Sequence, residues 1–165
     1  MDYKVGDKVV YPAHGVGIIE EVETRTISGS NAVFYSLRII DSDMKIMIPT
    51  SKCKSVGLRR VIGKEMVTKV YKVLREKRVT VDQATWNRRY REYTEKIKTG
   101  SVLEIAEVLR DLSVLRGSKE LSFGERKMLD TARQLLVKEL AIAKNTKETK
   151  IEQEIDKIFG PAAKA

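Results

Sequence analysis

Residue types that carry chemistry at active sites are scarce in this sequence. Its 165 residues include one histidine, His14, and one cysteine, Cys53. A single cysteine cannot form an internal disulfide, so a reducing cytosol is its natural setting. His14 lies in a turn and Cys53 suits a small, partly buried position, so a nucleophile–base pair is a weak hypothesis. With no second His or Cys at ligand spacing, the sequence predicts no enzyme, metal site or cofactor.

Long apolar runs and export signals are also missing. The longest apolar runs span four or five residues, too few to cross a bilayer. The N-terminus shows no basic stretch followed by an apolar segment and a small-residue cleavage site. We therefore expect a cytoplasmic protein with no membrane contact and no small-molecule substrate. Nothing in the sequence indicates an obligate dimer, so a monomer is expected.

Positive charge is present, and it is concentrated in one stretch. The net charge is +9. Residues 64–98 hold 11 basic and 5 acidic side chains, whereas residues 1–63 hold 9 and 7, and residues 99–165 hold 12 and 11. A concentrated basic patch is typical of a protein with a polyanionic partner, although a solvated helix face would give the same count.

The first 60 residues have the pattern of short strands. Residues 16–27 are rich in β-branched side chains, and apolar residues alternate with period two over residues 33–40 and 44–48. Turn-forming residues separate these runs at intervals of about ten residues. The pattern predicts a small, strongly bent barrel of four or five strands. Such a barrel is filled by its own side chains, so it is a docking scaffold rather than a ligand pocket.

From about residue 63 the apolar period changes to that of a helix. Gly100 is placed to stop one helix, and Ser101 with Glu104, like Ser122 with Glu125, has the spacing of a capping box. The fold class is therefore α+β, with a β domain at 1–60 and a helical domain at 61–165, in which residues 160–165 should fray. About five helices are predicted, near residues 66–74, 84–98, 101–117, 122–140 and 151–159.

Two interpretations of the one tryptophan, Trp86, are open. In the first, Trp86 belongs to a core stripe at helical spacing. That stripe would consist of Trp86, Tyr90, Tyr93 and Ile97. In the second, an exposed Trp86 contacts base steps while the arginines that follow it hold DNA phosphates. Those arginines are Arg88, Arg89 and Arg91.

Seven sequence blocks, in order over nearly the whole chain, form a recognisable pattern. They are Tyr3–Gly17, Glu23–Ile27, Ile48–Pro49, Val56–Arg59, Thr85–Tyr90, Ala106–Leu112 and Leu121–Leu129. Together these blocks resemble the CarD/CdnL family of bacterial transcription regulators. The N-terminal half also resembles the polymerase-interaction module of transcription-repair coupling factors. The helical second half and the absence of any helicase motif favour the CarD/CdnL family.

The resemblance implies a regulator with two binding surfaces. A Tudor-like N-terminal domain would bind the RNA polymerase β subunit, which would make this a bacterial, nucleoid-associated protein. The helical domain would lie against promoter DNA at the upstream edge of the melted bubble. There the family's tryptophan wedges into the minor groove and stabilises the open complex. Trp86 matches that wedge, and Arg88, Arg89 and Arg91 would contact the DNA backbone.

The resemblance also implies a polymerase-binding face on the β domain. Arg25 matches a polymerase-contacting arginine of the family. Some relatives carry a second arginine where this chain has Met47, which alternation with Lys45 points outward, so an apolar contact is expected there. Two other hypotheses stay open: a general nucleic-acid-binding factor and a protein-only adaptor. The small charge surplus of the barrel and its lack of an aromatic stripe count against the first.

Overall fold

The computed structural model describes residues 3–76 and 86–160, apart from the side chains of residues 86 and 87. These residues fall into two compact units that divide between Val61 and Ile62. The strands all lie in the first unit and the long helices in the second. The predicted α+β class is confirmed. Residues 77–85 lie outside the described residues, and so does the tail predicted at 160–165 apart from Gly160.

The first unit, the β unit, contains five strands, a 3-10 turn at Thr50–Lys52 and one short helix, and the second unit contains five helices. The elements of the β unit are β1 Lys8–Tyr11, β2 Gly15–Ile27, β3 Ser30–Ile39, β4 Lys45–Pro49, α1 Cys53–Val56 and β5 Arg59–Arg60. Those of the helical unit are α2 Lys64–Leu74, α3 Trp86–Lys98, α4 Val102–Arg116, α5 Phe123–Ala143 and α6 Glu148–Phe159.

The β unit is one antiparallel sheet with the strand order β4-β3-β2-β1-β5. Ser28 and Gly29 both have positive φ, 50° and 81°, which suits the tight turn that joins β2 to β3. A bulge after Ile19 shifts the pairing, so Ile19 faces Leu37 while Glu21 faces Ser36. Because side chains alternate along a strand, the bulge sets which β2 residues lie on the outer face from Glu21 onward.

The core of the β unit forms on the inner face of the sheet. A Cβ on Gly17 would lie 2.6 Å from Leu37 Cδ1, so only glycine allows β2 and β3 to approach there. Tyr35 is buried, and its hydroxyl accepts a hydrogen bond of 3.1 Å from the Tyr3 backbone N–H. The other members of this core are Val9, Ile19, Leu37, Ile39, Ile48, Cys53 and Leu58.

A second core holds the helical unit together. The buried apolar residues along α4 recur at helical spacing, and they are Val102, Ile105, Ala106, Val108, Leu109, Leu112 and Leu115. In the last helix Ile151 and Ile155 are buried, while Ile158 packs against the core from its edge. All five helices contribute to this one cluster, so none of them is an independent surface helix.

The helix ends agree with the sequence in two cases and differ in one. Gly100 has a φ of +72° after the end of α3, as a helix stop requires. The Ser122–Glu125 capping box is present in both directions. The predicted box at Ser101 is wrong, because Ser101 makes no side-chain cap and Glu104 instead accepts the Thr99 hydroxyl at 2.5 Å. Thr99 competes for the carboxylate that the box would need.

Candidate nucleic-acid and protein interfaces

Helix α3 presents one face to the core and carries its charge on the others. Tyr93 and Ile97 are buried, and burial raises the pKa of Tyr93 to about 12. Tyr90, which shares the proposed stripe, is 48% exposed and lies at the edge of that face. Among the described side chains of the proposed stripe, Tyr93 and Ile97 therefore belong to the core and Tyr90 does not. Trp86 is the first residue of α3, and its side chain lies outside the described residues.

The three arginines after Trp86 do not share one environment. Arg88 is 69% exposed and forms an ion pair of 3.5 Å with Glu92, four residues along the helix. Arg91 is exposed as well. Arg89 is only 11% exposed, and its Nη1 lies 3.3 Å from Glu125 Oε2. Its guanidinium therefore faces the protein, whereas those of Arg88 and Arg91 face solvent.

Arg89 forms its ion pair with a buried carboxylate, that of Glu125 in the first turn of α5. Glu125 is 1% exposed, and its Oε1 accepts the Ser122 backbone N–H at 2.9 Å and Lys119 Nζ at 3.0 Å. Burial alone would raise the pKa of Glu125. The hydrogen bonds from Ser122 and Lys119 outweigh that effect, so the pKa lies below its ordinary value. The carboxylate stays ionised and joins the first turn of α3 to the first turn of α5.

A large apolar residue that sequence reasoning passed over lies at this junction. Phe123, the first residue of α5, is 75% exposed. Arg126 and Lys127 are exposed in the same turn. The exposure of Phe123 could have been predicted from the capping box. With Ser122 as the cap, Phe123 is the first residue of the helix, and it lies off the apolar face that begins at Leu129. An exposed aromatic ring beside basic side chains suits contact with a nucleic acid.

The register of the sheet places Arg25 and Met47 on the same face of the β unit. Glu21 pairs with Ser36, which pairs with Met47, and Arg25 lies on β2 at an even spacing from Glu21. Residues directly opposite each other in a sheet point to the same side, and so do alternate residues of one strand. This outer face is partly solvent-exposed at Met47.

The charges around Arg25 are mixed. Arg25 is 58% exposed, and its Nη2 lies 3.1 Å from Glu23 Oε2. A hydrogen bond with Glu23 raises the pKa of Glu21, and the same bond, together with Arg25, lowers the pKa of Glu23. The outer face near Arg25 therefore carries the carboxylates of Glu21 and Glu23 as well as the Arg25 guanidinium, which makes it a poor surface for a polyanion.

His14 and Cys53 occupy different environments. Cys53 is buried with its Sγ 3.7 Å from the Pro49 carbonyl oxygen, and His14 is exposed in its turn. Among the residues that the structure describes, no group of three or more His, Cys, Asp or Glu side chains is arranged to hold a metal ion. Within the same ranges, no helix combines the length and the apolar character needed to cross a membrane.

A separate polar cluster joins α2, the end of α5 and α6. The Tyr71 hydroxyl donates to Glu154, and Lys144 Nζ lies 3.1 Å from the same carboxylate. Burial and the contact with Glu154 raise the pKa of Tyr71. For Glu154, burial would raise the pKa, but the hydrogen bonds from Tyr71 and Lys144 bring it below its ordinary value. The cluster therefore links three helices through an ionised carboxylate.

Comparison with known proteins identifies both units. Residues 3–62 match the model of the CarD-like/TRCF RID domain, and residues 69–156 match that of the CarD C-terminal domain. The chain is similar to the putative transcription factor YdeB of Bacillus subtilis, with 37% identity over 90% of this chain and 97% of that protein. A solved structure, CdnLNt from Myxococcus xanthus, is 45% identical over 39% of this chain and 90% of its own, with a TM-score of 0.33. This chain belongs to the CarD family of transcription factors, and its N-terminal unit is the RNA polymerase-interacting domain of that family.

Proposed function

We propose that this protein binds the RNA polymerase β subunit through its β unit and promoter DNA at the upstream edge of the bubble through its helical unit. Bound at both places, it stabilises the open complex against closing and catalyses no reaction itself. The observation that best supports the DNA contact is the junction of α3 and α5. There Arg88, Arg91 and Phe123 are exposed at the first turns of two helices joined by the Arg89–Glu125 pair.

The electrostatics of this junction suit a DNA backbone. Arg88 and Arg91 project into solvent, and the surface pair of Arg88 with Glu92 is weak enough to exchange for a phosphate. The N-terminal ends of α3 and α5 add partial positive charge on the same side. Phosphate contacts of this kind fix position but carry no sequence information, so binding should be strong at low salt and largely indifferent to sequence.

Trp86 is the proposed wedge. It begins α3, two residues before Arg88 and five before Arg91, so an aromatic side chain there could enter the minor groove while the two arginines hold the flanking phosphates. Unstacking a base step costs a few kcal/mol, and this cost is smallest at the edge of DNA that is already melted. A wedge at the upstream fork would therefore favour the open complex over the closed duplex.

The polymerase contact is assigned to the outer face that Arg25 and Met47 share. Arg25 supplies a cation for an acidic partner surface, and Met47 supplies an adaptable apolar contact beside it. Binding to polymerase would bring the protein to the nucleoid, and the protein would act as a monomer. The carboxylates Glu21 and Glu23 on this face disfavour the alternative in which the β unit itself holds nucleic acid.

Two binding assays separate this proposal from its alternatives. In the first, tagged protein is incubated with bacterial lysate after nuclease treatment, and retained polymerase subunits are measured. In the second, binding to a forked promoter fragment is measured at several salt concentrations. The proposal requires both interactions. Loss of polymerase after nuclease treatment would indicate a general nucleic-acid-binding factor, and retention of polymerase without any DNA binding would indicate a protein-only adaptor.

A further inference from the structure

Glu125 makes more contacts than a helix cap needs. A capping box requires one carboxylate oxygen to accept the backbone N–H of the cap residue, here Ser122, and Oε1 does so at 2.9 Å. The second oxygen, Oε2, accepts Arg89 Nη1 from a different helix at 3.3 Å. A buried charge is costly unless it is paired, and Glu125 has two cations close to it: Lys119 Nζ at 3.0 Å from Oε1, and Arg89, which comes from a different helix.

Arg89 lies in the first turn of α3. Among the described side chains of this helix, the buried apolar ones are Tyr93 and Ile97, which lie in its middle and last turns. Arg89 is 11% exposed and contacts Glu125 of α5, whereas its neighbour Arg88 is 69% exposed. Helix ends fray unless tertiary contacts hold them, so a contact of this kind favours an ordered first turn.

We propose that Arg89 and Glu125 form a positioning pair that orders the first turn of α3 and so presents Trp86 to DNA. Arg89 follows Trp86 by three residues, which places the two on neighbouring positions of one helical turn. The pair fixes this turn before DNA arrives, so the cost of ordering it does not reduce the affinity. This inference rests on the proposed function and changes the role of Arg89 from a phosphate contact to a support.

Three variants separate the pair from the cap. Glu125→Gln removes the charge but keeps an oxygen for the cap, because glutamine also serves in a capping box. Arg89→Met removes the charge and keeps the bulk of the stem. Glu125→Gln removes the carboxylate that Arg89 contacts, and Arg89→Met leaves Glu125 with Lys119 as its cation, so either single change can destabilise the domain. The double variant Arg89→Met/Glu125→Gln, in which both groups are neutral, avoids an unbalanced buried charge. Ser122→Ala, which weakens the cap alone, is the matched control.

The first measurement is made on the free protein. Trp86 is the one tryptophan, so time-resolved fluorescence anisotropy reports its local motion directly. We expect faster local motion of Trp86 in both single variants and in the double variant, and wild-type motion in Ser122→Ala despite a lower melting temperature. Wild-type anisotropy in the double variant would overturn the inference. Because no DNA or polymerase is present, this result does not depend on the proposed function.

The second measurement uses polymerase and promoter DNA. In the variants, the lifetime of the open complex should fall by roughly two- to tenfold, because a large side chain that is not ordered beforehand loses conformational entropy on binding. The lifetime with the double variant should be no shorter than with either single variant. The salt dependence of DNA binding should stay as in the wild type. If Arg89→Met instead lowers the log–log salt slope by about 0.9 while Glu125→Gln does not, Arg89 contacts a phosphate and the inference is wrong. A wild-type protein without effect on the lifetime would refute the proposed function but leave the anisotropy result standing.

Discussion

Replacing Arg88 and Arg91 together by alanine removes the two cations that the first turns of α3 expose to solvent. Each phosphate neutralised by a protein contributes about 0.9 to the slope of log K against log salt concentration. The double variant should therefore flatten the slope by about 1.8. Between about 50 and about 200 mM salt, this difference means that the wild type loses roughly twelvefold more affinity than the variant.

The assay is fluorescence-anisotropy titration of a labelled forked promoter fragment at four or more salt concentrations. Lys98→Ala is the matched control, because Lys98 is exposed on the same helix but at its far end. The control should leave the slope unchanged. If Lys98→Ala flattens the slope by about 0.9, the amount expected for each arginine, the effect comes from overall charge and not from contact. An unchanged slope in the double arginine variant would place the DNA surface elsewhere.

Three further predictions concern the polymerase face, the helical core and its pH dependence. Arg25→Glu should abolish retention on the polymerase β subunit and leave DNA binding intact, whereas Lys54→Glu, at an exposed position of α1 outside the sheet, should retain polymerase in the same pull-down. Tyr93→Ala should cost about 3–5 kcal/mol in the free energy of unfolding because it leaves a cavity, and Tyr90→Ala should cost less than about 1 kcal/mol, as measured by urea denaturation. The folded-state pKa of Glu154 is lowered, so its stabilisation is present above the ordinary pKa of 4.5 and is lost as the pH falls through the folded pKa. Melting temperatures should therefore differ between wild type and Glu154→Gln near neutral pH and converge as the pH falls below the folded-state pKa of Glu154, and a constant difference would contradict the pKa direction.

The class of the fold and its cores could be predicted from the sequence because they follow from periodicity. The alternation predicted over residues 33–40 corresponds to burial of Tyr35, Leu37 and Ile39 on one face of β3. The helix predicted near residues 151–159 likewise buries Ile151 and Ile155, four residues apart. Both patterns reflect burial on one side of a regular element, which composition and spacing record directly. Capping was less reliable, because a residue outside the motif, Thr99, took the carboxylate that Ser101 would have needed.

The candidate site was harder to predict in detail. The basic segment after Trp86 was evident, but adjacent arginines look alike in a sequence, and which of them faces the protein depends on a partner far along the chain. Glu125 is 36 residues from Arg89, and the spacing that marks it as a capping residue does not reveal its second contact. The exposure of Phe123 likewise depends on how α5 packs, although the spacing of Ser122 and Glu125 predicts that Phe123 is the first residue of the helix.

The lifetime of the open promoter complex tests the central claim most directly. Purified RNA polymerase forms open complexes on a promoter fragment, a competitor is added, and the decay is followed with wild-type protein, with Trp86→Ala and without either. The proposal predicts that the wild type prolongs the lifetime, whereas the variant binds polymerase, melts close to the wild-type temperature and gives no prolongation. A variant that prolongs the lifetime as the wild type does would contradict the wedge. If Trp86→Ala instead lowers the free energy of unfolding by about 3–5 kcal/mol, Trp86 is a core residue and not a wedge.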